Sequence, residues 1–267
     1  FVTVRTAEAL GEVARITRDA GEPTFILGSG SNILVADRGI RGVVVDNRAR
    51  AEIPDDSHTN IRVESGTSFA AFSRRMCRLG RDGLSWAVGI PGTLGGAVVY
   101  NAGAYGGCLA GVLVSVHIQD SDGRADWLPA GDLGLVYRGS VFTRGQFKDK
   151  VVLGAEVRLS DGDAAALLAT AAGHDKKRLT AQPRGRNAGS MFKNPPGDYA
   201  GRLIDAAGLK GHRIGEVEIS SLHGNFFVNL GQATATDIYA LIDLARRSVA
   251  EKFGVQLELE IELLGEW

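Results

Sequence analysis

Cysteine is scarce in this chain: Cys77 and Cys108 are the only two in 267 residues. They form no Cys-x-x-Cys pair and no ligand set with the five scattered histidines. That argues against structural zinc and against a disulfide scaffold, and no metal is expected. A reducing cytoplasm is the expected compartment. Proline is sparse too, at 7 residues, and no low-complexity tract points to disorder. No apolar run approaches the ~18–20 residues of a membrane span. Phe1-Val2-Thr3-Val4 reads as a strand and not as a signal peptide. There is no initiator Met, so the chain is read as starting inside a longer sequence. A net charge of −1 gives no general pull toward nucleic acid or acidic membranes. The basic clusters Lys176-Lys177-Arg178 and Arg184-Gly185-Arg186 read first as solvated surface, with capacity to grip an anion.

Glycine is what the chain has in excess: 36 residues, concentrated in particular loops. Gly28-Ser29-Gly30-Ser31-Asn32 follows the apolar run Thr24–Leu27. Its small side chains and free N–H groups suit a concave nest for phosphate oxygens. No Gly-Lys-Ser/Thr follows, so it is not a Walker loop. Ile33-Leu34-Val35 reads as extended, whereas a dinucleotide fingerprint opens a helix. The second glycine-rich stretch, residues 89–107, holds seven glycines in nineteen positions. Such a density weakens an ordinary core element and implies close approach to the backbone.

The remaining pattern mixes strands and helices without regular β-α-β alternation, which predicts an α+β fold. Helices are expected over 6–19, 69–79, 163–180, 198–207 and 234–253. In the first, Leu10, Val13 and Ile16–Thr17 form a ragged apolar stripe. The last is the clearest, with Thr234 as N-cap, Gly254 at the stop, and Ile238, Leu241, Ile242, Ala245, Val249 and Phe253 on one face. Strands are expected over 24–27, 41–45, 61–63, 111–118, 150–159, 214–219 and 225–229. A strictly alternating strand over 255–264 puts Glu258, Glu260 and Glu262 on one face, about 6.6–6.8 Å apart. The polar stretch 49–60, with Pro54-Asp55-Asp56-Ser57, marks a subdomain split near 48–60.

Taken in order, these residues resemble one family. The Leu27–Asn32 loop and the 89–107 stretch are followed by Tyr137-Arg138-Gly139-Ser140-Val141-Phe142 and Ala188-Gly189-Ser190-Met191-Phe192-Lys193-Asn194-Pro195. Ser220-Ser221-Leu222-His223-Gly224-Asn225-Phe226 and Leu257-Glu258-Leu259-Glu260 complete the set. Over nearly its whole length the chain resembles the UDP-N-acetylenolpyruvoylglucosamine reductase family. The resemblance implies an FAD-binding domain of the vanillyl-alcohol-oxidase type over 1–170. A smaller α+β substrate domain follows over 171–267, whose last strand is free to return to the first part. It implies a cytoplasmic, monomeric enzyme that binds FAD and takes hydride from NADPH. The substrate would be a nucleotide sugar, the enolpyruvyl ether of UDP-N-acetylglucosamine, reduced to UDP-N-acetylmuramate for peptidoglycan.

The resemblance also implies roles. Gly28, Ser29, Gly30, Ser31, Asn32, Gly92, Thr93, Gly96, Asn101 and Gly103 would hold FAD. Hydride arriving at the substrate's methylene carbon builds negative charge on the neighbouring carbon and its carboxylate. That calls for electrostatic stabilisation and a proton. Ser190 matches the family's proton donor, although a serine beside glycine ordinarily bonds its own backbone. Arg138 matches the family arginine, whose planar charged fork suits a carboxylate. Periodicity does not separate Glu260 from Glu258 and Glu262, and only the family pattern selects it. Pairing with the arginine or acting as an acid both stay open. Tyr137, Lys193, Asn194 and Asn225 are expected at the substrate, and His223 is read as structural. The link from Phe142 to Val151 is short, which places the chain with the compact subtype. Two other readings fit the glycine loops, an FAD-dependent oxidase of the same superfamily and a non-catalytic flavin or nucleotide module. Neither accounts for Arg138, Ser190 and Glu260 together.

Overall fold

The computed structural model describes residues 1–55 and 59–267. Asp56 and Ser57 of the expected turn therefore lie outside the described residues, within the stretch read as a subdomain split. The chain divides into two compact units, 1–30 with 42–175 and 31–41 with 176–267.

In the first unit Thr6 opens helix α1 (Ala7–Asp19), its hydroxyl accepting the Ala9 N–H at 3.1 Å. This satisfies one of the donors that a helix start leaves without a partner. The buried stripe is Leu10, Gly11, Ala14 and Thr17, while Ile16, expected to face in, is half exposed. Gly11 accounts for the rotation, because a Cβ there would lie 2.9 Å from Gln119 Nε2. Leu10 and Ala14 share a core with Val4, Val45 and Leu153. A three-stranded parallel sheet supplies the first two of these, with Val43–Asn47 central between Val2–Val4 and Thr24–Leu27.

A five-stranded antiparallel sheet forms the rest of the frame, in the order Ala125–Pro129, Leu113–Gln119, Val151–Arg158, Asn60–Glu64, Glu52–Pro54. Helix α2 (Phe69–Arg78), capped by Ser68, presents Phe69, Phe72 and Met76 to the core with Leu84, Val116 and Val157. Each fully buried Phe there contributes about 1.5–3 kcal/mol. Sequence alone did not anticipate α3 (Leu94–Val99), which runs through the second glycine-rich stretch. Leu94 and Val98 are fully buried, and that burial offsets the helix-weakening Gly95-Gly96 pair. The long helix α4 (Ala164–Ala181) crosses the division between Asp175 and Lys176.

The second unit is built on α5 (Ala200–Ala206), α6 (Ala235–Phe253) and a three-stranded antiparallel sheet of Arg213–Ile214, Val217–Ile219 and Phe227–Asn229. The strand expected over 214–219 is thus a hairpin that turns at Gly215, where φ is 53°. Helix α6 has a full capping box, the Thr234 hydroxyl accepting the Asp237 N–H and the Asp237 carboxylate accepting the Thr234 N–H. Residues 31–41 join this unit for two reasons. Ile33–Val35 pairs in parallel with Glu262–Leu264. The Asp37 carboxylate accepts the Ala235 and Thr236 N–H groups at 2.7 and 3.0 Å and the Thr236 hydroxyl at 2.7 Å. Those bonds at the positive end of α6 hold the Asp37 carboxyl below its usual range.

The strand expected over 255–264 is regular only at Glu262–Leu264. Its alternation survives as burial, with Leu257 and Ile261 buried and Glu258 and Glu262 exposed. The ladder breaks because the neighbour changes. Residues 258–260 bond to 191–193, and 262–264 then pair with 33–35.

Candidate active site

The glycines expected at a cofactor fall into three groups. Gly28 and Gly103 are explained by packing: a Cβ at Gly28 would lie 2.7 Å from Thr93 Oγ1, and one at Gly103 would lie 2.8 Å from the Gly107 carbonyl oxygen. The first contact brings the two glycine-rich loops together. Gly30 and Gly92 have φ of 70° and 125°, a left-handed backbone that other residues rarely adopt. Gly96 is explained by neither. It lies inside α3, where glycine costs about 0.5–1 kcal/mol relative to alanine. Yet the nearest protein atom to a Cβ there, Thr93 Oγ1, would be 3.8 Å away. Nothing among the described residues requires glycine at this exposed position, and its open backbone face suits close approach by a ligand.

The stretch Ser65-Gly66-Thr67, unmarked by sequence reasoning, holds this loop from behind. The Leu94 N–H donates to the Thr67 carbonyl at 2.9 Å and the Gly95 N–H to that of Ser65 at 2.8 Å. The Thr67 hydroxyl is buried and has no hydrogen-bond partner among the described residues. A buried hydroxyl left without a partner, on a residue whose carbonyl holds the start of α3, fits a polar cofactor such as FAD. Ser29 also lies in the first unit, while Ser31 and Asn32 lie in the second. The Asn32 Nδ2 donates to the Glu260 carbonyl at 3.0 Å.

Asn101, expected at FAD, is buried with its side chain committed to backbone. Its Nδ2 donates to the Val136 carbonyl at 2.9 Å, and its Oδ1 accepts the Ala110 N–H at 3.0 Å. The first of these bonds bears on Arg138. Val136 and Gly139 exchange backbone bonds at 3.0 and 3.2 Å, which places Tyr137 and Arg138 at the tip of a tight turn. Arg138 has φ of 53°, an uncommon conformation for a non-glycine residue. The buried Ser140 hydroxyl donates to the Val99 carbonyl at 2.6 Å and ties the turn to the end of α3. The Arg138 guanidinium lies 5.3 Å from the centroid of the exposed Tyr137 ring.

The second unit brings Ser190, Lys193, Asn225, Glu258 and Glu260 together. Gly189, with φ of 80°, turns the chain into Ser190, which bridges to Phe226. Contrary to the usual habit of serine beside glycine, the Ser190 hydroxyl makes no hydrogen bond among the described residues, and the residue is half buried. The Glu260 N–H donates to the Met191 carbonyl at 2.9 Å, which sets Glu260 beside this segment. The exposed Glu258 pairs with Lys193 at 3.5 Å, whereas Glu260 is half buried, so the structure distinguishes two glutamates that periodicity did not. Asn194 Oδ1 accepts the Ala200 N–H at 3.1 Å, at the start of α5. The Asn225 side chain is directed at Phe192 backbone.

His223 is structural here, its Nδ1 accepting the Asn225 N–H at 3.2 Å. Burial, and then the Lys210 charge, push its pKa below the ordinary 6.5. The unfolded chain therefore takes up this proton first as pH falls, and folded stability is lost from about pH 6.5 downward. The expected result is a Tm that drops between pH 7.5 and 5. In His223→Asn, whose Oδ1 can replace Nδ1 as acceptor, the drop is shallower. An unchanged slope in that variant would remove His223 as a source of the acid sensitivity.

Two family models match the chain in succession. An FAD binding domain model matches residues 1–128. A model for the C-terminal domain of UDP-N-acetylenolpyruvoylglucosamine reductase matches residues 180–264. The fold and site therefore define an FAD-containing oxidoreductase. UDP-N-acetylenolpyruvoylglucosamine reductase 2 of Symbiobacterium thermophilum is 45% identical over 95% of this chain and 83% of its own. The reductase of Chloroflexus aurantiacus is 43% identical over 94% of this chain and 86% of its own. The crystal structure of the Thermus caldophilus reductase (MurB) superposes with a TM-score of 0.83 at 36% identity, covering 98% of this chain and 91% of that one. The chain belongs to the UDP-N-acetylenolpyruvoylglucosamine reductase family.

Proposed function

We propose that this chain reduces the enolpyruvyl ether of UDP-N-acetylglucosamine to UDP-N-acetylmuramate, using NADPH, as a step in peptidoglycan precursor synthesis. The observation that carries this is the match to reductases of that name along 95% of the chain. Bound FAD supplies the hydride relay from NADPH to the substrate's methylene carbon. We assign Gly28 to Asn32, Gly92, Thr93 and Gly96 to its binding, on the strength of the joined glycine loops and the open Gly96 face.

The chain's own residues then face two tasks. Arg138 meets the substrate carboxylate as the adjoining carbon gathers negative charge, its permanent positive fork stabilising the enolate-like state. Ser190 donates its proton to that carbon, a role supported by a hydroxyl with no hydrogen-bond partner among the described residues. Glu260 orients the arginine or serves as an acid. Lys193 and Asn194 supply cationic and amide contacts to the nucleotide sugar, and the exposed Tyr137 ring offers a further surface. We place the reaction in the cytoplasm, where nucleotide sugars and NADPH are made, and assign it to a single chain.

The test uses purified protein loaded with FAD. It is expected to be yellow, to bleach anaerobically with NADPH, and to regain colour on addition of UDP-N-acetylglucosamine enolpyruvate. Protein that cannot bind FAD would end the flavin reading. Bleaching followed by recovery only with oxygen would favour an oxidase.

A further inference from the structure

We propose that Asn225 is a positioning residue for Ser190, which holds the segment carrying the proton donor and does not itself contact substrate. This rests on the reading of Ser190 given above. Asn225 is 3% exposed and both ends of its side-chain amide are in use. Its Oδ1 accepts the Phe192 N–H at 2.9 Å and its Nδ2 donates to the Phe192 carbonyl at 2.8 Å. Its backbone carbonyl accepts the Met191 N–H at 2.8 Å. Three bonds from one residue therefore fix the two residues that follow Ser190.

The ladder explains why an amide is needed. Phe192 opposes Leu259 in an antiparallel bridge. The bonds of that bridge are made by its neighbours, Lys193 N–H to the Glu258 carbonyl and Glu260 N–H to the Met191 carbonyl, both at 2.9 Å. The N–H and C=O of Phe192 itself point to the other edge. There the Asn225 side chain takes the place of a strand, supplying one acceptor and one donor to a fully buried residue. Alanine supplies neither. A carboxylate lacks the donor, and a protonated carboxyl regains it. A side chain with both its groups spent on Phe192 has none to offer a nucleotide sugar.

Freed from Asn225, Met191 and Phe192 lose one edge while Lys193 keeps its bond to the Glu258 carbonyl, and misplacing a reacting group by about 1 Å costs on the order of 100-fold in rate. The experiment is a double-mutant cycle on the FAD-loaded protein, with re-oxidation by the enolpyruvyl substrate read in single turnover. Asn225→Ala is expected to slow re-oxidation about 10- to 100-fold. Reduction by NADPH and the Kd for UDP-N-acetylmuramate, read by calorimetry, should stay within about twofold of wild type, since neither uses the Ser190 proton. Added to Ser190→Ala, the substitution should cost almost nothing more, because it acts through a hydroxyl already removed. A Kd weakened tenfold, or a full additional loss on the Ser190→Ala background, would overturn the proposal.

Should Asn225→Ala not fold, Asn225→Asp serves. Its re-oxidation deficit relative to wild type should grow as pH rises and the carboxyl loses its donor, and a deficit independent of pH counts against the proposal. Failure of the underlying reading shows separately. Either the wild type is not re-oxidised by this substrate, or Ser190→Ala is re-oxidised as fast as wild type.

Discussion

Ser190→Ala is expected to leave reduction of the bound flavin by NADPH within about twofold of wild type and to slow its re-oxidation by the enolpyruvyl substrate about 10²–10⁴-fold, the range general-acid catalysis supplies. The asymmetry follows from where the proton is needed. Reduction by NADPH calls for no proton on a substrate carbon, whereas reduction of the enolpyruvyl ether leaves a carbanion-like centre that must receive one. The hydroxyl makes no hydrogen bond among the described residues, so its removal leaves no backbone group unpaired and should change Tm little. Stopped-flow absorbance of each half-reaction checks this. Equal slowing of both would mean that Ser190 supports the structure and not the proton transfer.

Glu260→Gln is expected to lower turnover about 10²–10³-fold, the scale of losing one group that stabilises developing charge. Glu258→Gln should stay within about threefold, as an exposed ion pair contributes little. The two side chains lie two residues apart on one face but differ in setting. Glu258 is exposed and pairs with Lys193, while Glu260 is half buried, with its N–H bonded to Met191 and its carbonyl to Asn32. Steady-state kinetics on both variants decide it, and comparable losses would show that the role was assigned to the wrong carboxylate.

What could be read in advance was what is local. Helix α6 was legible because its cap at Thr234, its apolar face and its stop at Gly254 all lie within one stretch of chain. The break at Gly215 had its signal in the glycine itself, passed over because the flanking residues alternate. Helix α3 was not legible, since Gly95-Gly96 argues against a helix and only the burial of Leu94 and Val98 shows why one forms. The asparagines illustrate a deeper limit. The resemblance places Asn101 at FAD and Asn225 at the substrate. Their partners are backbone groups up to 35 residues away, and no motif reports that. Ser190, Arg138 and Glu260 were selected by family pattern, while the turn at Arg138 and the half-buried setting of Glu260 emerged only from the fold.

The allegiance of residues 31–41 bears on how the molecule is made. A ribosome releases this segment early, yet its strand partner is Glu262–Leu264 and its carboxylate caps a helix that starts at Ala235. Until Glu262–Leu264 emerges, Ile33–Val35 is an unpaired apolar edge, and until Ala235 and Thr236 emerge Asp37 has no helix to cap. Closing a loop of that length comes late and slowly. The buried core of the second unit is gathered within residues 191–261, and the early segment adds Leu34 to it. Its completion waits for that segment to meet Glu262–Leu264, and the chain stays exposed to misassembly until it does.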